Sequence, residues 1–113
     1  MQDDGGVLAV GGADAATRTP DSERRAANAQ FDRDAVSRIR SRDVAALEEV
    51  YARYGKPVWS LARKVAGDDG VAEEVVQEAF LRLWTRVSDY DPARGRLLPW
   101  LLTLAHHRAI DEL

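Results

Sequence analysis

The sequence predicts an all-α fold, a small bundle of three main helices with a short helix ahead of them. Three features carry this expectation. Apolar residues recur at helical spacing through 71–87, steps of three and four residues run without a miss from 44 to 65, and Gly- and Pro-bearing turns separate the helical stretches. The chain has 113 residues, 45% of them hydrophobic, so it suffices for one domain with a modest core.

The first 29 residues are rich in Gly, Ala, Asp and Arg and show no sustained periodicity, which reads as a disordered tail ahead of a folded domain at 30–113. Phe31, Ala35 and Ile39 mark the short helix, which breaks around Ser41 and Asp43. Asp43 is a suitable N-cap for the next helix, whose seam is Val44, Leu47, Tyr51, Tyr54, Val58, Leu61 and Val65. Pro57 lies inside that seam, but the register continues past it, so one bent helix is expected rather than two. Gly67 ends it, and the turn Gly-Asp-Asp-Gly leads to a cap at Asp69 or Gly70.

The central helix places Val71, Ala72, Val75, Val76, Ala79, Phe80, Leu83 and Val87 on one face, with Trp84 at its margin. Glu73, Glu74, Gln77, Glu78 and Thr85 occupy the other, and Leu81 sits among them. An exposed leucine is unremarkable by itself. One ringed by carboxylates also suits docking against a basic partner helix. Glu73 and Glu74 fall in the first turn of a helix capped at Asp69 or Gly70, where the helix dipole favours negative charge, so they could be there for the helix alone.

Beyond this helix, the loop SDYDPARGR at 88–96 holds Tyr90, Arg94 and Arg96, a set that serves either a solvated turn or a phosphate backbone and a stacked base. The last segment, LLPWLLTLAHHRAIDEL at 97–113, has Pro99 in a first helical turn. Its apolar residues circle nearly the whole helix, which predicts that the bundle encloses it. Trp100, Thr103, His107 and Asp111, flanked by Arg108, form a polar stripe that marks either the helix emerging into water or a face offered to unpaired bases.

Several classes are disfavoured. With no cysteine there is no disulfide or thiolate metal site, and adjacent His106 and His107 point about 100° apart on a helix, so they cannot share one ion. No nucleophile elbow, phosphate-binding glycine loop or acid/base pair is present, so the chain is not expected to be an enzyme. No cofactor is expected. The start of the chain is a poor signal peptide and no apolar run is long enough for a membrane span, which points to the cytoplasm. A net charge of −3 argues against coating nucleic acid by bulk electrostatics.

Three pieces in this order, AEEVVQEAFLRLW (72–84), YDPARG (90–95) and WLLTLAHHRAIDEL (100–113), resemble region 2 of the extracytoplasmic-function sigma factors of bacterial RNA polymerase. The resemblance covers residues 31–113. It implies that Glu73, Glu74, Gln77, Glu78 and Leu81 bind the β′ clamp helices of core polymerase. It further implies that the loop with Tyr90, Arg94 and Arg96 captures a flipped base of the promoter minus-ten element. The helix of Trp100, Thr103, His107 and Arg108 would melt and read the non-template strand, and an anti-sigma factor is implied as a second partner. His107 stands where the family commonly has Asn, so no base preference carries over. The family pattern continues into an Arg-rich stretch and a second promoter-reading domain, so the chain is expected to be a piece of a longer factor. The alternative is a helical interaction module that never touches DNA, a sigma mimic or an anti-sigma-binding adaptor.

Overall fold

The computed structural model describes residues 19–91, 93 and 95–113, and the elements within them are helical. Helix α1 spans Pro20–Arg40, α2 Val44–Ala66, α3 Asp69–Thr85 and α4 Leu97–Asp111, with a single 3-10 turn at Val87–Asp89 after α3. The chain divides into two compact units, Met1–Phe31 and Asp32–Leu113, and the boundary falls inside α1.

In the first unit the helix begins well ahead of Phe31, so residues 20–29 of the expected tail are helical; residues 1–18 lie outside the described residues. The start has a local cause. Thr19 Oγ1 accepts the Ser22 amide at 3.0 Å, Pro20 brings a φ already suited to the first helical position, and Asp21 and Glu23 place negative charge in the first turn. Arg24 pairs with Asp21 one turn away. Residues 21–30 are polar around most of the circumference, so this stretch has no apolar periodicity to betray it.

The second unit is a bundle in which α2, α3 and α4 all pack against one another. Asp43 caps α2 through the Ala45 amide at 3.0 Å, and Gly67, at φ 74°, closes it in a left-handed conformation that costs a glycine little. The helix runs unbroken through Pro57, which faces solvent. Its buried residues, however, are Ala46, Val50, Tyr54, Gly55, Val58 and Ala62, while Val44 and Tyr51 of the expected seam are 56% and 54% exposed. The seam as read from sequence weighted large side chains, whereas the bundle buries small ones that let the helices approach.

Helix α3 buries Ala72, Val75, Val76, Ala79, Phe80 and Leu83 as expected, but its cap is Asp68, whose Oδ2 accepts the Val71 amide at 2.9 Å. Asp69 is thus already helical, and it pairs with Arg63 of α2. On α4 the buried residues Leu97, Leu101, Ala105 and Ala109 follow at steps of four, so one face rather than the whole helix is enclosed. Leu98, Leu102 and Leu104 are half-buried and Ile110 is exposed. Alanine is frequent in this core: seven of its twenty hydrophobic residues are Ala.

Candidate functional site

Two surfaces carry the residues singled out from sequence. The first is the outer face of α3. Glu73, Glu74 and Gln77 are exposed, Glu78 is half-buried, and Leu81 is 54% exposed. None of the four polar side chains forms an ion pair or side-chain hydrogen bond with another described residue. With the helix starting at Asp69, Glu73 and Glu74 lie beyond the first turn, where the dipole effect has largely faded. Their placement is not explained by the stability of α3.

Sequence reasoning missed the neighbouring part of this surface. Exposed Tyr51 of α2 meets Phe80, the residue before Leu81, edge-on at 5.1 Å between ring centroids. Val44 projects from the same side of α2 two turns earlier, and Arg42 lies 3.7 Å over the Trp84 ring while donating to the Trp84 carbonyl at 2.8 Å. Exposed apolar side chains thus occur on both α2 and α3, and the two helices touch on this side through Tyr51–Phe80 and Arg42–Trp84. The signal was present in the sequence: Val44 and Tyr51 belong to a stripe that the small residues Ala46, Val50 and Ala62 displace from the core.

The second surface is a groove of about 490 Å³ between the 88–96 loop and the start of α4, lined by Asp89, Tyr90, Asp91, Gly95, Arg96, Pro99, Trp100 and Thr103. Its volume is within the roughly 300–1,000 Å³ typical of small-ligand clefts. Tyr90 is only 3% exposed: its hydroxyl donates to the Gly95 carbonyl at 2.8 Å, and its ring meets Trp100 edge-on at 5.6 Å. Burial pushes its phenol above the ordinary tyrosine range. Tyr90 thus braces the loop and offers no free ring face for stacking. Arg96 is also engaged internally, and Arg94 lies outside the described residues.

Trp100 is half-buried at the groove edge; Thr103, His107 and Arg108 are exposed further along α4, with Thr103 Oγ1 donating to the Pro99 carbonyl at 3.0 Å. His107, Arg108 and Asp111 also border a second hollow of about 230 Å³, opposite Glu78 and Arg82 of α3.

Behind the groove sits a buried polar cluster that sequence reasoning did not find. Asp32 of α1 is 2% exposed. Its Oδ1 accepts the Tyr54 hydroxyl at 2.6 Å, and its Oδ2 accepts both Arg96 Nε at 2.6 Å and the Leu97 amide at 3.0 Å. Arg96 Nη2 in turn donates to the Tyr54 hydroxyl at 3.0 Å. Burial, together with the Asp32 carboxylate, pushes the Tyr54 phenol up to about 12. Nothing in a lone Asp inside a polar helix announces such a role.

Residues 50–113 match sigma-70 region 2, which is more than half of the chain. The chain belongs to the sigma-70 region 2 family. Over 78 residues, 69% of the chain, it is 41% identical to the ECF RNA polymerase sigma factor SigK of Mycobacterium bovis (strain BCG / Pasteur 1173P2) and to that of Mycobacterium tuberculosis (strain ATCC 25177 / H37Ra). It is 39% identical to SigK of Mycobacterium sp. (strain KMS) over a stretch of the same length. The chain spans about 42% of the length of the first two relatives and 40% of the third. Membership of a sigma-factor family agrees with the expectation that the chain is not an enzyme. Among the described residues no helix is long and apolar enough to cross a membrane.

Proposed function

We propose that this sigma region 2 domain binds core RNA polymerase through the outer face of α3 and the adjoining strip of α2, and that its groove and α4 recognise and open the promoter minus-ten element. The carrying observation is Leu81, 54% exposed next in sequence to the Phe80 that Tyr51 meets, with Glu73, Glu74 and Gln77 unpartnered among the described residues, in a chain of this family. A β′ clamp helix with an apolar notch and basic residues complements that surface in shape and sign. The relatives' name, RNA polymerase sigma factor, supports the same partner.

For DNA, the support is the groove with Trp100 at its edge and the exposed Thr103, His107 and Arg108 beyond it. A base that leaves the duplex costs a few kcal/mol, and an aromatic contact returns about 1–3 kcal/mol per base. The isolated chain therefore binds single strands in preference to duplex. An anti-sigma factor that masks the acidic, apolar face is the natural second partner. 

Co-purification with core polymerase tests the docking half. Leu81→Glu is expected to weaken retention by about 2 kcal/mol, roughly thirtyfold in Kd, with helicity by circular dichroism unchanged. Equal retention of the wild type and the folded variant rejects this face as the docking surface.

A further inference from the structure

Both ends of the groove loop are tied to one helix that does not line the groove. At the loop's start, Arg40 of α1 donates to the Tyr90 carbonyl at 3.1 Å. At its end, two turns back along α1, Asp32 holds the Arg96 guanidinium and the Leu97 amide on a single oxygen. The amide bond matters because α4 has no cap of its own: Arg96, at the N-cap position, makes no side-chain capping bond. Asp32 supplies that missing acceptor from another helix, and a carboxylate there also meets the positive end of the α4 dipole. Tyr54 completes the cluster by donating to Oδ1 and accepting from Arg96, so it touches both the carboxylate and the guanidinium.

We infer that Asp32 is a positioning residue for base selection: without touching DNA, it sets the width and register of the groove by fixing Arg96 and the first turn of α4. This rests on the promoter-reading proposal above. Charged hydrogen bonds in a buried setting have narrow geometric tolerance, so losing one lets the Gly95–Arg96 backbone and the Trp100 ring shift relative to Tyr90. Such a shift changes which base fits the groove while leaving the distant α3 face as it was.

The test uses the full chain and a pool of random 12-nucleotide single strands of DNA, with sequencing of the retained fraction giving a preference for each base at each position. Asp32→Asn presents an amide where Arg96 needs a carboxylate. It is expected to flatten the preference at one position by about tenfold, the size of one charge-assisted hydrogen bond. Preferences elsewhere and retention by core polymerase stay unchanged, a pattern that general loss of stability would not produce. If Asp32→Asn loses helicity, Tyr54→Phe, which keeps the carboxylate, decides: relaxed preference at one position upholds the inference. A wild-type profile in the folded variant overturns it while the promoter reading stands. No enrichment by the wild type overturns the promoter reading and this inference together.

Discussion

At the scale of single residues, the residue types suited to a task are not always the ones that perform it. Tyr90 and Arg96 have the chemistry of base and phosphate contacts, but the structure uses them to brace the loop, through Gly95 and Asp32. Trp100 keeps part of its ring accessible at the groove edge. Trp100→Ala is accordingly expected to weaken binding of minus-ten single strands by about 1–3 kcal/mol, roughly fivefold to 150-fold, with retention by core polymerase unchanged. Fluorescence anisotropy with a labelled strand measures the first, and co-purification the second. Leu81 was legible because a leucine breaks an otherwise polar face. Asp32 was not, because its partners at positions 54, 96 and 97 converge only through tertiary packing.

Helix boundaries were legible where a chemical signal accompanied periodicity. Asp43 and Gly67 were read correctly from the N-cap and C-cap preferences. The start of α3 was placed one or two residues late, since Asp68 and Asp69 are both competent caps and only the backbone distinguishes them: Asp68 is extended and Asp69 helical. Asp68→Ala is therefore expected to lower stability to urea by about 1 kcal/mol. Asp69→Ala, which loses an exposed ion pair with Arg63, should change it by less than about half of that. The beginning of α1 was missed for the opposite reason. Thr-Pro-Asp at 19–21 is a sound start signal, but with no apolar stripe behind it the stretch reads as irregular.

Across the domain, the pH range of stability has a definable cause at each end. Arg38, in the last turn of α1, donates to Asp43 and, with two nitrogens, to Glu49 of α2, and this holds both carboxyls below their ordinary values. A depressed folded-state pKa contributes stability that is complete above the ordinary values of 3.8 and 4.5 and is lost as pH falls below them. Tyr54 acts with the opposite sign. Its phenol, raised from 10.0 to about 12, favours the folded state at lower pH, and that contribution disappears as pH climbs across this interval. Melting temperatures recorded against pH are expected to fall at both ends. Arg38→Met should flatten the acid limb, and Tyr54→Phe the alkaline one.

The fold class followed from helical periodicity broken by Gly- and Pro-bearing turns, since 3.6-residue spacing survives whichever side chains occupy it. The alanines of the core carry a different lesson. Ala46, Ala62, Ala72, Ala79, Ala105 and Ala109 are all buried in the bundle where α2, α3 and α4 pack, and a close-packed interior has little room for a larger side chain. A hydrophobic replacement that would suit a looser core, such as Ala72→Leu, is expected to cost about 1–3 kcal/mol in urea denaturation. The three helices that share this tight spacing also bear the two outer surfaces. Drift in the core would move both at once, so an interior with alanine at so many of its helix contacts narrows the paths by which either surface can evolve alone.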